Sequence, residues 1–327
     1  MELTQLGTSD LKVSRIALGT DQFGTRVDRA AAKKIIFSAL DAGINFIDTA
    51  HIYGDGRSEE LIGDAIASVR DKVILATKGG HPHTGGPSPK NLRLELETSL
   101  QRLKTDHIDL YQVHFIIGQY TPLEDILEVL RDMQTSGKVC CFGASNFYTW
   151  QLYRANDLCA RSGQAGLVSI QSHYSLLERD IEAELIPYCE HTGVGLLPFY
   201  PLAGGLLANR YRRGIEPGSD TRAGQLDWAD RFFRYYATER NFDLIDLLSA
   251  FAQKRGRSLA ELSLAWLLTR PAVCSVIVGA SKPEHVLVDS RACDWNMSNE
   301  ELAEIGSILG DKNRYLRYPR RLWWEVR

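Results

Sequence analysis

The chain has 327 residues, a formal net charge of −3 and 24% charged residues. That balance provides no broad basic surface for nucleic acid, and the composition is ordinary for a globular protein. No apolar run approaches the roughly eighteen residues that cross a bilayer, and Met1-Glu-Leu-Thr-Gln-Leu-Gly lacks the basic-then-apolar order of a secretory leader, so a cytoplasmic protein without a membrane partner is expected.

In chain order, Met1–Val13, with Gly7-Thr8-Ser9-Asp10 as turn residues, reads as a hairpin closing one end of a barrel. Eight short apolar runs follow: Val13–Thr20, Gly43–Ala50, Lys72–Lys78, His107–His114, Val139–Asn146, Gly166–Tyr174, Gly193–Tyr200 and Ser275–Ser281. Most are continuously apolar, as parallel strands covered on both faces should be. Amphipathic helices are predicted between them: Arg29–Ala42, with Ala32, Ile35, Ile36 and Leu40 on one face, then Ser58–Ser68, Asn91–Leu103, Leu123–Thr135, Phe147–Arg161, Ile181–His191 and Ser258–Leu268. Alternation near eight units favours an α/β-class (β/α)8 TIM barrel over an open doubly wound sheet. The whole chain is read as one barrel domain, longer than the roughly 250 residues typical of the fold. Two further helices, Phe242–Arg255 and Ser298–Leu309, lie outside the repeat. The polar loops Gly79–Pro89 and Pro201–Leu226 would rise from the C-terminal rim of the strands, where barrel active sites form.

Ionisable residues end several of these runs. Asp48 ends the stretch Gly43-Ile-Asn-Phe-Ile-Asp in the second, Lys78 and His114 close the third and fourth, and Tyr53 follows Asp48 by five residues. A phenol with a pKa near 10 is a reluctant acid at neutral pH. An adjacent ammonium, Lys78, is expected to lower that pKa, while Asp48 keeps the lysine charged and in place. Neutral His114 would orient a carbonyl by hydrogen bonding. None of the four can supply a hydride, so the set implies a redox cofactor.

Six cysteines without C-x-x-C spacing read as reduced, largely buried thiols with no catalytic role; adjacent Cys140 and Cys141 point to opposite faces of a strand. His81-Pro82-His83 lies in a Gly/Pro-rich loop rather than on a strand with further ligands, so a pocket edge is expected and a metal is not.

Seven stretches carry a family resemblance: Leu18-Gly-Thr; Asn45-Phe-Ile-Asp-Thr-Ala-His-Ile-Tyr-Gly followed by Ser58-Glu-Glu-Leu-Ile-Gly; Ala76-Thr-Lys; Asp109-Leu-Tyr-Gln-Val-His; Gly143-Ala-Ser-Asn; Pro201-Leu-Ala-Gly-Gly-Leu-Leu; and Val278-Gly-Ala-Ser-Lys-Pro-Glu. In this order they resemble the aldo-keto reductase superfamily. The resemblance implies reduction of a small carbonyl compound with NADPH, less often NADH, bound without a Rossmann domain, and it matches Asp48, Tyr53, Lys78 and His114 to the family's catalytic tetrad. It implies cofactor contacts from Gly19, Thr20 and Asp48 at the rim; from Ser145, Asn146 and Gln171 on the carboxamide; and from Tyr200 stacked on the nicotinamide. Leu202, Gly204, Gly205, Leu206, Arg210 and Arg222 would form a belt over the pyrophosphate, and Gly279, Ser281 and Lys282 would hold the adenosine phosphate. Ser281 is also expected to cap a helix beginning at Pro283.

The sequence departs from that pattern in three places. His285 and Asp289 stand near the adenine where the family commonly has Gln and Asn. Asp21 stands where many relatives place Trp or Met against the substrate. It therefore joins Tyr53 and His114 as a substrate-pocket residue suited to a polar, sugar-like compound, with an outward, turn-capping role as its alternative. The basic, aromatic tail Asp311–Arg327 fits no family pattern and reads as a lid or an interface segment; the oligomeric state is left open. A second functional reading is an NADPH-sensing regulatory subunit with slow reductase activity, since some members of the superfamily act chiefly on a partner protein.

Overall fold

The computed structural model describes residues 1–116 and 121–310. Strands β1 (Leu3–Gln5) and β2 (Lys12–Ser14) form an antiparallel hairpin. Eight parallel strands follow: β3 (Ile16–Gly19), β4 (Phe46–Asp48), β5 (Ile74–Gly79), β6 (Ile108–Val113), β7 (Val139–Ser145), β8 (Ser169–His173), β9 (Gly195–Phe199) and β10 (Val276–Gly279). Their order is β10-β3-β4-β5-β6-β7-β8-β9. The ring closes where Leu196 N–H donates to Ala272 O at 2.8 Å and Cys274 N–H donates to Leu196 O at 3.0 Å. This is the expected TIM barrel.

Strand parity explains how one sequence makes both the core and a polar rim. Ala17, Phe46, Ala76, Leu110, Cys141, Val168, Leu197 and Ile277 fill the barrel interior, while Ile16, Leu18, Ile47 and Leu75 face the surrounding helices. Because side chains alternate with period 2, the residues two positions beyond Phe46, Ala76 and Leu110 point inward again, one layer higher. Those residues are Asp48, Lys78 and Gln112.

The hairpin closes the opposite end. Leu6 and Val13 are fully buried against the interior layer, and Gly7 sits at φ +54°, where a Cβ would lie 1.9 Å from Val168 O, a place only glycine can occupy. The first apolar run, expected as one strand from Val13 to Thr20, is split between β2 and β3. Its break falls at Ser14-Arg15: Ser14 N–H donates to Asn45 Oδ1 at 2.8 Å, and the Arg15 guanidinium donates to Val273 O at 2.7 Å.

The repeat helices lie close to their predicted bounds, from Arg29–Asp41 through Leu259–Leu268. The two expected extra helices are Glu239–Gln253 and Asn299–Leu309, and a third, Asp227–Tyr236, joins them among the described residues. It buries Ala229, Phe232, Phe233 and Tyr236 at helical spacing and sets Phe232 against Tyr200, with ring centres 5.0 Å apart. Ser281 is not a helix cap: Pro283 is the first residue of the Pro283–Ser290 helix, which makes Lys282 the capping position and leaves Ser281 outside, facing His285. All six cysteines are free, and Cys140 is exposed rather than buried. No described helix is long and apolar enough to cross a membrane. The tail 311–327 lies outside the described residues.

Candidate active site

At the C-terminal rim of β4 and β5, Lys78 Nζ donates to Asp48 Oδ2 at 2.7 Å and to Thr49 O at 2.6 Å, with both side chains almost wholly buried. The second carboxylate oxygen of Asp48 accepts from Gln112 Nε2 at 3.1 Å and Gln171 Nε2 at 2.9 Å. Four groups thus hold one another in a water-poor layer. Lys78 Nζ lies 5.0 Å from the centre of the Tyr53 ring, and the His114 imidazole meets that ring edge-on at 6.1 Å. Tyr53 stands on a tight turn, Tyr53–Gly56, in which Gly54 and Asp55 both take positive φ.

Burial dominates the titration of this group. It pushes the Tyr53 phenol well above its ordinary value, and the charges of Asp48 and Asp21 push the same way. The expectation that Lys78 would lower the phenol pKa is therefore reversed, because its charge is matched by Asp48 at hydrogen-bond distance. Tyr53 stands protonated at neutral pH. Lys78 is itself lowered by burial, against the raising effect of Asp48. His114 is held well below its usual value by burial, then by Lys78 and His81, so its ring is neutral. Its Nδ1 is buried without a hydrogen-bond partner.

Asp48, Tyr53, His114 and Gln171 line a cleft of about 1490 Å³, larger than the roughly 300–1,000 Å³ of ordinary small-ligand pockets, with Lys78 and Gln112 buried beneath it. One end is lined by Tyr53, His114 and the loop residues His81 and His83; the other runs past Gly279 and Ser281 to Asp289. Residues 15–309 match the model of the Aldo/keto reductase family. The chain belongs to the aldo/keto reductase family. It is 36% identical over 325 residues to the uncharacterized oxidoreductase YrpG of Bacillus subtilis, covering 94% of this chain and 96% of that one. It is 31% identical to the NADH-specific methylglyoxal reductase of Escherichia coli, over 92% and 96% of the two chains. It is also 31% identical to a probable voltage-gated potassium channel subunit beta of Oryza sativa, over 90% and 92%.

Of the positions expected in this aldo/keto reductase to meet a cofactor, Gly19, Thr20, Asp48, Ser145, Asn146, Gln171 and Tyr200 line the inner part of the cleft. Leu202, Gly204, Gly205, Arg210 and Arg222 line it from the loop after β9, and Gly279, Ser281, Lys282, His285 and Asp289 from the segment after β10. Leu206 does not: it is 1% exposed and packs into the outer core. Asn146 and Tyr200, each just past a strand end, sit at φ +58° and +50°, a left-handed conformation that costs a non-glycine residue free energy and recurs at functional sites. Asn146 Nδ2 donates to His114 O at 3.1 Å, tying the carbonyl of the fourth strand end to the fifth.

Asp21 lines the cleft, as one of its two readings required, but it is not free. It pairs with Arg222 from the long loop after β9, so the cleft wall there is an ion pair rather than a lone carboxylate. The Arg222 guanidinium lies 4.4 Å from the ring centre of Trp228 and 5.4 Å from that of Tyr200. Gln112 and Trp228 are site residues that sequence reasoning missed. Gln112 was legible as the inward position two residues before His114, and Trp228 as part of the Ala229, Phe232, Phe233, Tyr236 helical pattern. His81 and His83 edge the cleft and, among the described residues, join no cluster of metal-ligand side chains. Among the described residues the group that could hold a metal ion is His107, Asp109 and Cys140, at the N-terminal ends of β6 and β7.

Asp289 is buried at the far end of the cleft, and burial raises its carboxyl from 3.8 to about 7. With its pKa higher in the folded state than in the unfolded one, the folded protein binds the extra proton, and stability falls as pH rises from about 4 to about 7. Asp289→Asn is therefore expected to stabilise the protein at pH 8 by up to a few kcal/mol and to flatten this part of the stability profile, as read by urea denaturation across pH. An unchanged slope would show that the carboxyl reaches water.

Proposed function

We propose that this protein reduces an aldehyde or ketone to an alcohol with a nicotinamide dinucleotide, Tyr53 giving its proton to the carbonyl oxygen. The observation that carries the reading is the buried Lys78–Asp48 pair at 2.7 Å beneath a neutral phenol, with His114 beside it at the floor of the cleft. When bound, the cofactor supplies the hydride that no side chain can. Neutral His114 hydrogen-bonds the carbonyl oxygen and aims it at Tyr53. Lys78, kept charged by Asp48, stabilises the phenolate left after proton transfer.

The length and lining of the cleft suit an extended dinucleotide. Ser145, Asn146 and Gln171 supply amide and hydroxyl groups for the carboxamide, Tyr200 an aromatic face for the ring, and Arg210, Arg222 and Lys282 positive charge for the phosphates. Gln171 already donates to Asp48, which leaves its carbonyl oxygen as acceptor. Arg210 and Lys282 support NADPH as the preferred form, with NADH as the alternative. The Asp21–Arg222 pair, His81 and His83 make the wall near Tyr53 polar, which supports a polar, sugar-like substrate. Six free thiols support a reducing, cytoplasmic setting.

The likeness to a probable channel beta subunit keeps the regulatory reading in view. Oxidation of NADPH and NADH followed over a panel of aldehydes, ketosugars and aromatic ketones separates the two. Multiple turnover with at least one carbonyl is expected. A single stoichiometric oxidation of bound cofactor across the whole panel would favour the sensor.

A further inference from the structure

On the outer wall of the barrel, at the end opposite the cleft, three side chains of metal-ligand type come together. Leu110 and Cys141 are register partners on β6 and β7, and both fill the interior, so Asp109 and Cys140, one residue before each, face outward side by side. His107, two residues before Asp109, continues the same parity. A ring nitrogen of His107, a carboxylate oxygen of Asp109 and Cys140 Sγ all lie within 4.8 Å of one another. Asp106 Oδ1 accepts from His107 Nδ1 at 2.6 Å, which favours the tautomer whose lone pair sits on Nε2. Asp109 takes both of its hydrogen bonds on Oδ2, from Leu75 N–H at 2.8 Å and Arg70 Nη2 at 2.7 Å, and its Oδ1 accepts none among the described residues. Arg70 is anchored besides by Thr105 Oγ1, Val73 O and His107 O, at 3.0, 2.9 and 3.0 Å.

We propose that His107, Asp109 and Cys140 bind a zinc-class divalent cation at a site separate from the cleft. Imidazole, thiolate and carboxylate form a donor set that suits zinc, whereas magnesium and calcium take oxygen ligands. Tetrahedral donors at zinc-bond lengths of about 2.0–2.3 Å stand roughly 3.5 Å apart. Separations of up to 4.8 Å close by rotation of the exposed Cys140 and half-buried His107 side chains, while Asp109 stays held by Leu75. Because Cys140 is exposed, both the ion and the water that completes its four ligands reach the site from solvent. On coordination the Cys140 thiol releases its proton to solvent, so a thiolate and a carboxylate set two negative charges against the ion's two positive ones.

Arg70 beside Asp109 opposes a second cation, so the affinity falls below that of a structural zinc site with four protein ligands. Asp109 and His114 are five residues apart along β6 and its end, roughly 16 Å, so the ion acts on stability and not on Tyr53. Like any ligand that binds only the folded chain, it raises the unfolding temperature.

The test is titration of the full, reduced chain with cobalt(II), which takes zinc's place and reports a thiolate ligand by a near-ultraviolet charge-transfer band. One equivalent is expected to bind with that band, and zinc to displace it. Cys140→Ser should lose the band, and both Cys140→Ser and His107→Gln should weaken cobalt binding by at least about tenfold. Zinc should raise the unfolding temperature of the parent and not that of Cys140→Ser. His81 and His83 line the cleft, and the double variant His81→Gln, His83→Gln should keep both band and affinity. A parent without the band, or a band that persists in Cys140→Ser or at unchanged affinity in His107→Gln, overturns the proposal. Loss of the band in the cleft double variant overturns it too, by assigning the ion to the cleft.

Discussion

Tyr53→Phe is expected to lower turnover with the best carbonyl substrate by about two to four orders of magnitude, the usual contribution of a positioned general acid, while cofactor affinity stays within about threefold of the parent. The substitution removes one hydroxyl and leaves the ring that packs against His114 and over Lys78, so the fold has no reason to change. In the cofactor-free protein the phenol is neutral, and the lost function is proton donation rather than the charge of a standing phenolate. Steady-state kinetics together with fluorescence titration of NADPH reads both quantities. Turnover within a few-fold of the parent would remove Tyr53 from the chemistry and the reductase reading with it.

The second large effect concerns Lys78 and Asp48, where stability and activity should come apart. Lys78→Met leaves a buried carboxylate facing only Gln112 and Gln171 as donors, and breaking a buried ion pair from one side costs about 3–5 kcal/mol. The double variant Asp48→Asn, Lys78→Met removes both charges, and the amide oxygen of Asn can still accept from the two glutamines. It is expected to recover most of that stability, since a neutral replacement of a buried pair is often tolerated. Neither variant should turn over, because neither can stabilise the phenolate of Tyr53. Chemical denaturation and turnover, measured on both single variants and the double, form the required cycle. A double variant as unstable as Lys78→Met would show that the pair's charges are not what holds this layer.

Asp48, Lys78 and His114 were legible because each ends a continuous apolar run, and a parallel strand buried on both faces fixes which end of the run reaches the rim. Tyr53 was legible by its distance from Asp48. The same periodicity could have found Gln112, which shares the inward parity of Leu110 but lies two residues inside the run rather than at its end. The Asp227–Tyr236 helix was hidden for a different reason. It follows a long polar loop and falls outside the strand–helix alternation, so no repeat unit points to it, although Phe232 and Phe233 carry a clear helical pattern.

The sequence by itself determined the barrel and the identity of the residues that end its strands, because strand parity and the alternation of apolar runs with amphipathic helices are local properties. Only the tertiary structure decided the state and the partners of those residues. It paired Asp21 with Arg222, 201 positions away, turned the Lys78 charge toward Asp48 so that burial raises Tyr53 instead of lowering it, sank Leu206 into the core and brought Arg210 against His285. Each of these depends on which surfaces meet through space and how much water is excluded between them. Spacing along a chain carries neither quantity.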